Sequence, residues 1–329
     1  MARKPNQKGK LLMLAKLFKE ESDEQHPLTL KEIIDRLDEC DIPVERKTVY
    51  TDMEILQAYG MDIIMEDKGK QCFYYLGSRD FELAEIKLLV DAVQSSKFIT
   101  EKKSNMLIKK LEGLVSKYQA GQLKRQVIIN GRVKTMNESI YYNVDKIHEA
   151  IGAKSKIRFQ YFQWNYAKQM VLRKQGEYYE VSPYCLMWDD ENYYLVAYDA
   201  QSDILKHYRV DKMQKIHIVN QPLEGKELFA KFNVAEYTHG VFGMFGGAKE
   251  HVTLRCKNEL AGVMIDRFGK NVPLQAVDEE HFQFAVDVYV SRQFFAWLFS
   301  LGKGVKLLGP SHVLTQMQEE LAEVYQNYM

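Results

Sequence analysis

Two basic side chains, His207 and Arg209, stand two residues apart in the run "ILKHYRVD", residues 204–211. Side chains of a strand point alternately to its two faces. The predicted faces carry Ile204, Lys206, Tyr208 and Val210 on one side and Leu205, His207, Arg209 and Asp211 on the other. An arginine fork matches the oxygens of a phosphate, so the second face predicts an anion-binding surface. The alternative is structural: Arg209 pairs with Asp211 or Asp199, and His207 only caps the sheet.

A second group of polar side chains lies in "VERKTVYTDMEILQAYG", residues 44–60. Helical spacing places Val49, Met53 and Leu56 inside and leaves basic, tyrosine and threonine side chains outside. Side chains of these types reach the phosphates and base edges of duplex DNA. A predicted hairpin turn at residues 67–70 adds two lysines. The predicted DNA contacts are Arg46, Lys47, Thr48, Tyr50, Thr51, Lys68 and Lys70.

Enzymatic signatures are weak in this sequence. The run "GMFGG", residues 243–247, lacks the Lys-Ser/Thr ending of a phosphate loop. Ser182 has no neighbouring base, and the acidic run at residues 189–191 falls in a predicted turn. The cysteines lack zinc-ligand spacing. We therefore expect no catalytic residue, no cofactor and no metal.

Bulk composition indicates a multidomain globular protein. The chain has 329 residues, of which 45 are basic and 45 acidic, and two or three domains are expected at this length. Residues 1–79 hold 13 basic and 15 acidic residues, so DNA binding there would depend on locally placed cations. No signal peptide, membrane span or disulfide framework is predicted, and we expect a cytoplasmic protein whose thiols are reduced and mostly buried.

Residues 1–79 read as three helices followed by a hairpin. Thr29 and Glu32 form a predicted capping box at the start of the second helix, and Gly60 is a predicted cap after the third. This is the order of a winged helix-turn-helix, although a small helical domain that binds protein fits the same pattern. Residues 80–143 read as two amphipathic helices and a basic link, "GQLKRQVIINGRVK". They serve either as a connector or as a dimerisation element.

The remainder is first rich in strands and then mixed. Residues 144–220 hold a short helix and five aromatic and β-branched runs, a pattern typical of a small barrel or sandwich. Residues 221–329 continue with a transition segment and then alternate strand and helix, which predicts a ferredoxin-like α+β domain. The fold class is therefore multidomain α+β.

The sequence from the first predicted strand of the β-rich region onward resembles the WYL-domain transcriptional regulators. Tyr193-Tyr194-Leu195 stands where that family carries Trp-Tyr-Leu, and "HYRVDKM" is similar to the Arg-Leu-Asp-Arg strand that follows. "SPYCLMW" and "KIRFQYF" resemble earlier strands of the domain, and "FFAWLFSLGKGVKLLGP" resembles the C-terminal WCX-like extension. With the helix-turn-helix head, the resemblance covers nearly the whole chain. One departure is Lys212, which replaces a bidentate arginine with a point charge.

The resemblance implies a bacterial DNA-binding regulator whose Sm/SH3-like β domain senses a ligand, either a nucleotide or a single-stranded nucleic acid. A single recognition helix reads only a few base pairs, so we expect a homodimer on a palindromic duplex operator. No apolar run is long enough to span a bilayer, so we expect no membrane partner. The residues implied to contact the ligand are Tyr161, Ser182, Tyr184, His207, Arg209 and Lys212. Tyr193, Tyr194 and Leu195 are assigned mainly to core packing.

Two other hypotheses remain open. The protein could be a nucleic-acid-binding accessory of a DNA-processing or defence enzyme, with a head that only docks. Duplex binding with one preferred operator separates that reading from a regulator. An enzyme acting on nucleotides is the third hypothesis, and it requires turnover without a partner.

Overall fold

The computed structural model describes residues 9–123 and 134–329. The chain separates into two compact units, Met1–Met136 and Asn137–Met329. The predicted basic link at residues 121–134 lies almost wholly outside the described residues.

The first unit begins with a head of three helices and a small antiparallel sheet. Its elements are α1 (Lys10–Glu21), β1 (Leu28–Thr29), α2 (Leu30–Asp38), α3 (Arg46–Ala58), β2 (Ile63–Asp67) and β3 (Cys72–Leu76). The strand order is β1-β3-β2, so the hairpin β2–β3 extends from a short strand that precedes α2. The predicted order of three helices and a hairpin is present, while the winged helix-turn-helix name stays a prediction.

Local signals explain where the head helices begin and end. The Thr29 hydroxyl accepts from the Glu32 backbone, and the Glu32 carboxylate accepts from the Thr29 backbone, which confirms the capping box. Gly60 follows the last turn of α3 with a φ of 94°, a left-handed conformation that costs glycine little. Val49 and Met53 are buried against Phe18 and Ile33 in the head core. The inward face of α3 is therefore confirmed.

Three helices follow the head: α4 (Leu83–Ser95), α5 (Glu101–Glu112) and α6 (Lys117–Gln122). The second predicted helix is wrong as one element, because Gly113 ends α5 and Ser116 caps a separate α6. The Ser116 hydroxyl also donates to the buried Asp23 carboxylate, and the His26 ring stacks on Tyr118. This contact joins α6 to the head.

The second unit opens with a helix and a curled antiparallel sheet. Its elements are α7 (Ile140–Gly152), β4 (Ser155–Trp164), β5 (Met170–Leu172), β6 (Tyr179–Asp189), β7 (Asn192–Asp199), β8 (Ile204–Arg209) and β9 (Met213–Pro222). The order is β5-β4-β6-β7-β8, and β9 also pairs with β4. Because β4 pairs with three strands and carries irregular register with β9, the sheet curls into a half-barrel.

Two predictions about these strands need correction. The short strand β5 was not predicted. The alternation from residue 204 was extended too far, because β8 ends at Arg209 and Val210–Lys212 form a 3-10 turn before β9. Asp211 therefore does not continue the strand, and it is free to turn back toward Arg209. The half-barrel is the observed architecture, and the Sm/SH3-like name remains a prediction.

The C-terminal part contains two short helices and a sheet covered by helices. The helices are α8 (Lys226–Ala230) and α9 (Val234–Gly240), and the sheet region comprises β10 (Ala248–Lys257), α10 (Ala261–Phe268), β11 (Gln275–Ala276), β12 (His281–Val290), α11 (Arg292–Ser300), β13 (Val305–Gly309) and α12 (Ser311–Gln326). The strands lie in the order β11-β12-β10-β13, all antiparallel. Phe294 and Leu254 are among the buried core side chains. The alternation of strand and helix is as predicted except at β11, an additional strand that precedes β12 with no helix between them, and the ferredoxin-like name stays a prediction.

Two general expectations concern the burial of the cysteine thiols and the presence of membrane-spanning helices. Cys256 is buried, but Cys40, Cys72 and Cys185 are only half-buried, so the prediction of mostly buried thiols was wrong. Over the described ranges, no helix combines the length and the apolar character needed to cross a membrane. No grouping of three or more potential metal ligands occurs in that same part of the chain.

Candidate nucleic-acid interfaces

A cleft of about 540 Å³ in the head lies between α2, the start of α3 and the tip of the hairpin. Arg46 and Tyr50 line it from α3, and Lys70 lines it from the hairpin turn. Tyr50 is held by its ring contact with the buried Tyr74, whose centroid is 6.4 Å away. Three of the seven predicted DNA-contact residues therefore share one cleft.

Of the other four predicted DNA contacts, three have local partners. The Thr48 hydroxyl donates to the Glu45 carbonyl at 2.7 Å, and the Thr51 hydroxyl donates to the Lys47 carbonyl at 3.3 Å. Lys68 pairs with Glu66 at 3.1 Å. Each threonine hydroxyl can still accept a hydrogen bond. These three side chains are nevertheless less available to contact DNA than that of Arg46.

Arg46 and Lys70 line the cleft together with one carboxylate, Asp67, whose Oδ1 accepts the Gly69 N–H at 2.8 Å. Among the described residues, no ion pair engages Arg46, Lys47 or Lys70, whereas Lys10 is held by Asp52 at 2.6 Å. Lys31 of α2 also lines the cleft and lacks such a pair in the described chain. Sequence reasoning missed Lys31, although its position two residues after the capping threonine places it on the first exposed turn of α2.

In the curled sheet, the Arg209 guanidinium already binds an internal anion, the Asp211 carboxylate. Its Nε and Nη2 donate to the two carboxylate oxygens of Asp211 at 3.0 and 2.9 Å, and Nη2 also donates to Asn192 Oδ1 at 2.9 Å. Burial of the guanidinium opposes its charge, but hydrogen bonds and the charge of Asp211 raise the pKa of Arg209. The Asp211 carboxylate thus lies where a ligand phosphate would bind the fork.

Lys212 shares the same carboxylate. Its Nζ lies 3.6 Å from Asp211 Oδ2 and also over the rings of Phe162 and Trp164, at 5.3 and 5.9 Å. Tyr161 joins this group because its hydroxyl accepts the Arg209 backbone N–H at 3.1 Å. Burial raises the pKa of Tyr161 to about 12, so the phenol is neutral and serves as a hydrogen-bonding group. The structure therefore brings Tyr161, Arg209 and Lys212 together.

His207 lies in a separate apolar environment. Its ring stacks on Tyr237 with centroids 4.7 Å apart and also faces Phe232 at 6.2 Å. Burial lowers the pKa of His207 to about 4, which leaves the ring neutral at physiological pH. His207 consequently adds no positive charge to the anion-binding surface that was predicted for it.

Ser182 and Tyr184 are covered by the segment that runs from β9 into α8. The Ser182 hydroxyl accepts the Glu224 N–H at 2.9 Å, and the Tyr184 hydroxyl donates to the Glu224 carbonyl at 2.6 Å. The Tyr184 ring stacks on Phe229 at 4.3 Å. Gly225 has a φ of 77° and a close approach to the Tyr198 ring, so only glycine fits this turn. These two side chains and His207 face residues 224–237 instead of solvent.

Two of the three residues that match the family's name pack in the core, as predicted: Leu195 is fully buried and Tyr194 is 8% exposed. Tyr193 is only half-buried, with its ring 4.6 Å from that of Trp188, so the prediction was wrong for this residue. Two further basic residues were not predicted from the sequence. Arg173 lies over the Tyr161 ring and Lys174 lies over the Tyr179 ring.

Two family models match the second unit. The model of the WYL domain matches residues 142–218, and the model of the WCX domain matches residues 248–325. No curated protein sequence matches the chain.

Among solved structures, proteasome accessory factor B/C (PafBC) of Arthrobacter aurescens is similar at 15% identity and a TM-score of 0.27, over 97% of this chain and 48% of that one. A CRISPR Cas-related protein is similar at 13% identity and a TM-score of 0.37, over 92% of this chain and 78% of that one. The present chain thus spans about half the length of the PafBC chain.

Proposed function

We propose that this chain, which belongs to the WYL-domain proteins and carries a C-terminal WCX domain, is a ligand-responsive regulator of transcription. The observation that carries the proposal is the head cleft, in which Arg46 and Lys70, both without an ion pair to any described residue, lie beside the ring of Tyr50. Unpaired cations are ready to neutralise phosphates, and the release of counterions supplies most of the affinity of such contacts. No enzymatic role is proposed.

The head would bind duplex DNA as a winged helix-turn-helix. In this mode α3 enters the major groove with its first residues at the base edges, and the hairpin tip contacts the backbone. Arg46 and Lys47 would read bases or phosphates, and Thr48, Tyr50, Thr51, Lys68 and Lys70 would complete the contact set. One helix reads only a few base pairs, so we propose a homodimer on a palindromic operator.

The WYL domain would sense a nucleotide or a single-stranded nucleic acid. Its proposed contacts are Tyr161, Arg209 and Lys212, together with Ser182, Tyr184 and His207, which residues 224–237 cover and which would contact the effector only when that segment moves aside. A phosphate of the effector would replace Asp211 at the Arg209 fork, and a tyrosine ring would stack on a base. The exchange of Asp211 for an external anion gives the domain two states. Those two states are what an effector needs in order to shift an equilibrium.

Sequencing the genomic fragments that the full-length protein retains tests the proposal. We expect one enriched, palindromic sequence that the protein then binds as a labelled duplex at fixed salt. Retention of DNA without a preferred sequence would contradict the regulator and favour an accessory role. Failure to retain any duplex would remove the DNA-binding function from the head.

A further inference from the structure

Arg173 and Lys174 lie on the loop between β5 and β6 and are both exposed. The Arg173 guanidinium carbon is 6.0 Å from the Tyr161 ring centre, and Lys174 Nζ is 4.4 Å from that of Tyr179. Lys174 Nζ donates to the neutral amide oxygen of Gln201 at 3.2 Å. Within the described chain, neither cation is paired with a carboxylate, in contrast to Arg209 and Lys212.

The two tyrosine rings belong to a fixed aromatic platform. Tyr161 and Tyr179 lie edge to face at 6.0 Å, and both contact the buried Phe159 at 6.2 and 5.6 Å. Tyr208 packs beneath them with centroids 5.2–5.9 Å from its neighbours. Such contacts fix the ring orientations. Phe159 stacks on Tyr179, and the cations of Arg173 and Lys174 lie over the Tyr161 and Tyr179 rings, so a base reaches these rings by taking the place of the cations, which then turn to its phosphates.

The backbone of this loop is held in an unusual conformation. Lys174 and Gln175 have left-handed φ values of 48° and 53°, followed by Gly176 at 91°. Non-glycine residues in this region carry strain that the surroundings must compensate. The buried Gln160 supplies one anchor, since its Nε2 donates to the Gly176 carbonyl at 2.6 Å. This anchored loop keeps the cationic groups over the rings.

Two buried polar atoms in the same cluster lack partners in the described part of the protein. They are the hydroxyl of Tyr208, a residue 6% exposed, and the Oε1 of Gln160, a residue 8% exposed. An unsatisfied buried polar group is costly, and it gains from a ligand or water that supplies a hydrogen bond. Both atoms are enclosed by the protein, so they are features of the platform interior and are not counted among the contacts of a ligand.

We propose that Tyr161, Tyr179, Arg173 and Lys174 form a nucleotide-binding subsite that takes a stacked base and its phosphates. The inference rests on the proposed function and extends its effector site beyond Arg209. Tyr161 belongs to both parts, because its ring faces Arg173 and its hydroxyl accepts from the Arg209 backbone. A ligand that engages both parts must carry at least two phosphates, so the subsite favours a short single strand over a nucleoside monophosphate.

The test is the binding of labelled hexathymidylate to the full-length protein, measured by fluorescence anisotropy over a range of salt concentrations. The double variant Arg173→Ala/Lys174→Ala should bind about tenfold or more weakly. Its slope of log affinity against log salt should fall by about 1.4, the value for two lost phosphate contacts on a single strand. The charge-preserving variant Arg173→Lys/Lys174→Arg should keep most of the binding.

A matched control is available on the same domain. Arg158 also lies over a tyrosine ring, Tyr178 at 5.3 Å, and Lys215 is also a left-handed lysine, with a φ of 50°. The double variant Arg158→Ala/Lys215→Ala therefore removes the same charge and should bind like wild type. Equal losses in both double variants, or an unchanged affinity at Arg173 and Lys174, would overturn the subsite. Operator binding by the head is measured in parallel and stays intact in either case, so a failure of the subsite is distinguished from a failure of the regulator.

Wild-type protein that binds no hexathymidylate would overturn both the subsite and the single-stranded effector, and it would leave duplex recognition standing. Binding that Arg209→Ala abolishes and Arg173→Ala/Lys174→Ala leaves unchanged would return the effector to the Arg209 fork alone.

Discussion

Arg46 and Lys70 of the head differ from Arg209 and Lys212 of the WYL domain in what holds their side chains. In the head, Arg46 and Lys70 line an open cleft, and no carboxylate of the described chain pairs with them. In the WYL domain, Arg209 and Lys212 share the Asp211 carboxylate, and His207 is neutral because it is buried. Residues that look equivalent in the sequence are thus ready for an anion in one region and occupied in the other.

This difference fits a head that binds the operator and a WYL domain that responds to the effector. Unpaired cations lose little when they meet phosphate, so the head can bind DNA without first breaking an internal contact. A cation held by a buried carboxylate must exchange one anion for another. That exchange produces two states, which an effector can bias by its differential affinity.

The largest expected effect concerns the head. Replacing Arg46 and Lys47 together with alanine should weaken operator binding by about 1–3 kcal/mol for each contact that reads a base, and by less for a lost phosphate contact. Electrophoretic mobility shift at fixed salt measures this loss. The matched change Arg36→Ala removes a cation that Glu21 and Glu39 already neutralise, and it should leave affinity near wild type. Equal affinity of the double variant and wild type would remove α3 from recognition.

The next effect is a pH dependence of stability caused by His207. Burial lowers its pKa from 6.5 to about 4, so between these values the unfolded chain binds more protons than the folded one. The contribution of His207 is therefore present above pH 6.5 and is lost as the pH falls toward 4, by up to about 3 kcal/mol. Urea unfolding across this range should show the loss in wild type. His207→Phe keeps a ring on Tyr237 and should flatten the profile; an unchanged profile would contradict a buried neutral histidine.

A third and smaller effect is the cost of removing Arg209. Arg209→Ala leaves the Asp211 carboxylate with Lys212 as its remaining ion-pair partner among the described residues, at 3.6 Å. Loss of one partner of a fully buried pair costs about 3–5 kcal/mol, and the 40% exposure of the Arg209 side chain reduces the expected cost to about 1–2 kcal/mol. The double change Arg209→Ala/Asp211→Ala should recover part of the loss in thermal unfolding. Arg46→Ala leaves no described carboxylate without its partner, so it should not change the thermal stability.

The smallest effect distinguishes the two lysines of the hairpin tip. Lys70 is unpaired in the described chain and lines the cleft, whereas Lys68 is held by Glu66 and lies 5.3 Å from the Phe73 ring. Lys70→Ala should therefore weaken operator binding more than Lys68→Ala, with a difference below about 1 kcal/mol. A larger loss for Lys68→Ala would show that its ion pair opens on DNA.

Elements with a periodic buried face could be predicted from the sequence. Val49, Met53 and Leu56 repeat at helical spacing, and β12 coincides with the apolar run at residues 281–290. The three-residue strand β5 could not be predicted, because its residues are exposed or only half-buried and its pairing with Phe162–Trp164 alone defines it. The left-handed turn at Lys174 and Gln175 was equally hidden, since neither residue type signals a positive φ.

The candidate sites were predictable to different degrees. Exposed residues at the start of α3 follow directly from which face of the helix is apolar. The pairing of Arg209 with Asp211 was one of two readings, and only the 3-10 turn that returns Asp211 to the fork decides its geometry. The cover that residues 224–237 place over Ser182, Tyr184 and His207 is a contact between distant segments, and local patterns carry no information about it.

Operator occupancy tests most directly whether the head binds DNA and the WYL domain senses the effector. It is measured with and without a single-stranded oligonucleotide, in wild type and in Arg209→Ala. We expect both proteins to occupy the operator when no oligonucleotide is present, because the contacts lie in the head. Addition of hexathymidylate should change occupancy in wild type and should have a much smaller effect in folded Arg209→Ala. An equal response of the two proteins would contradict the account and leave Arg209 as a structural ion-pair residue.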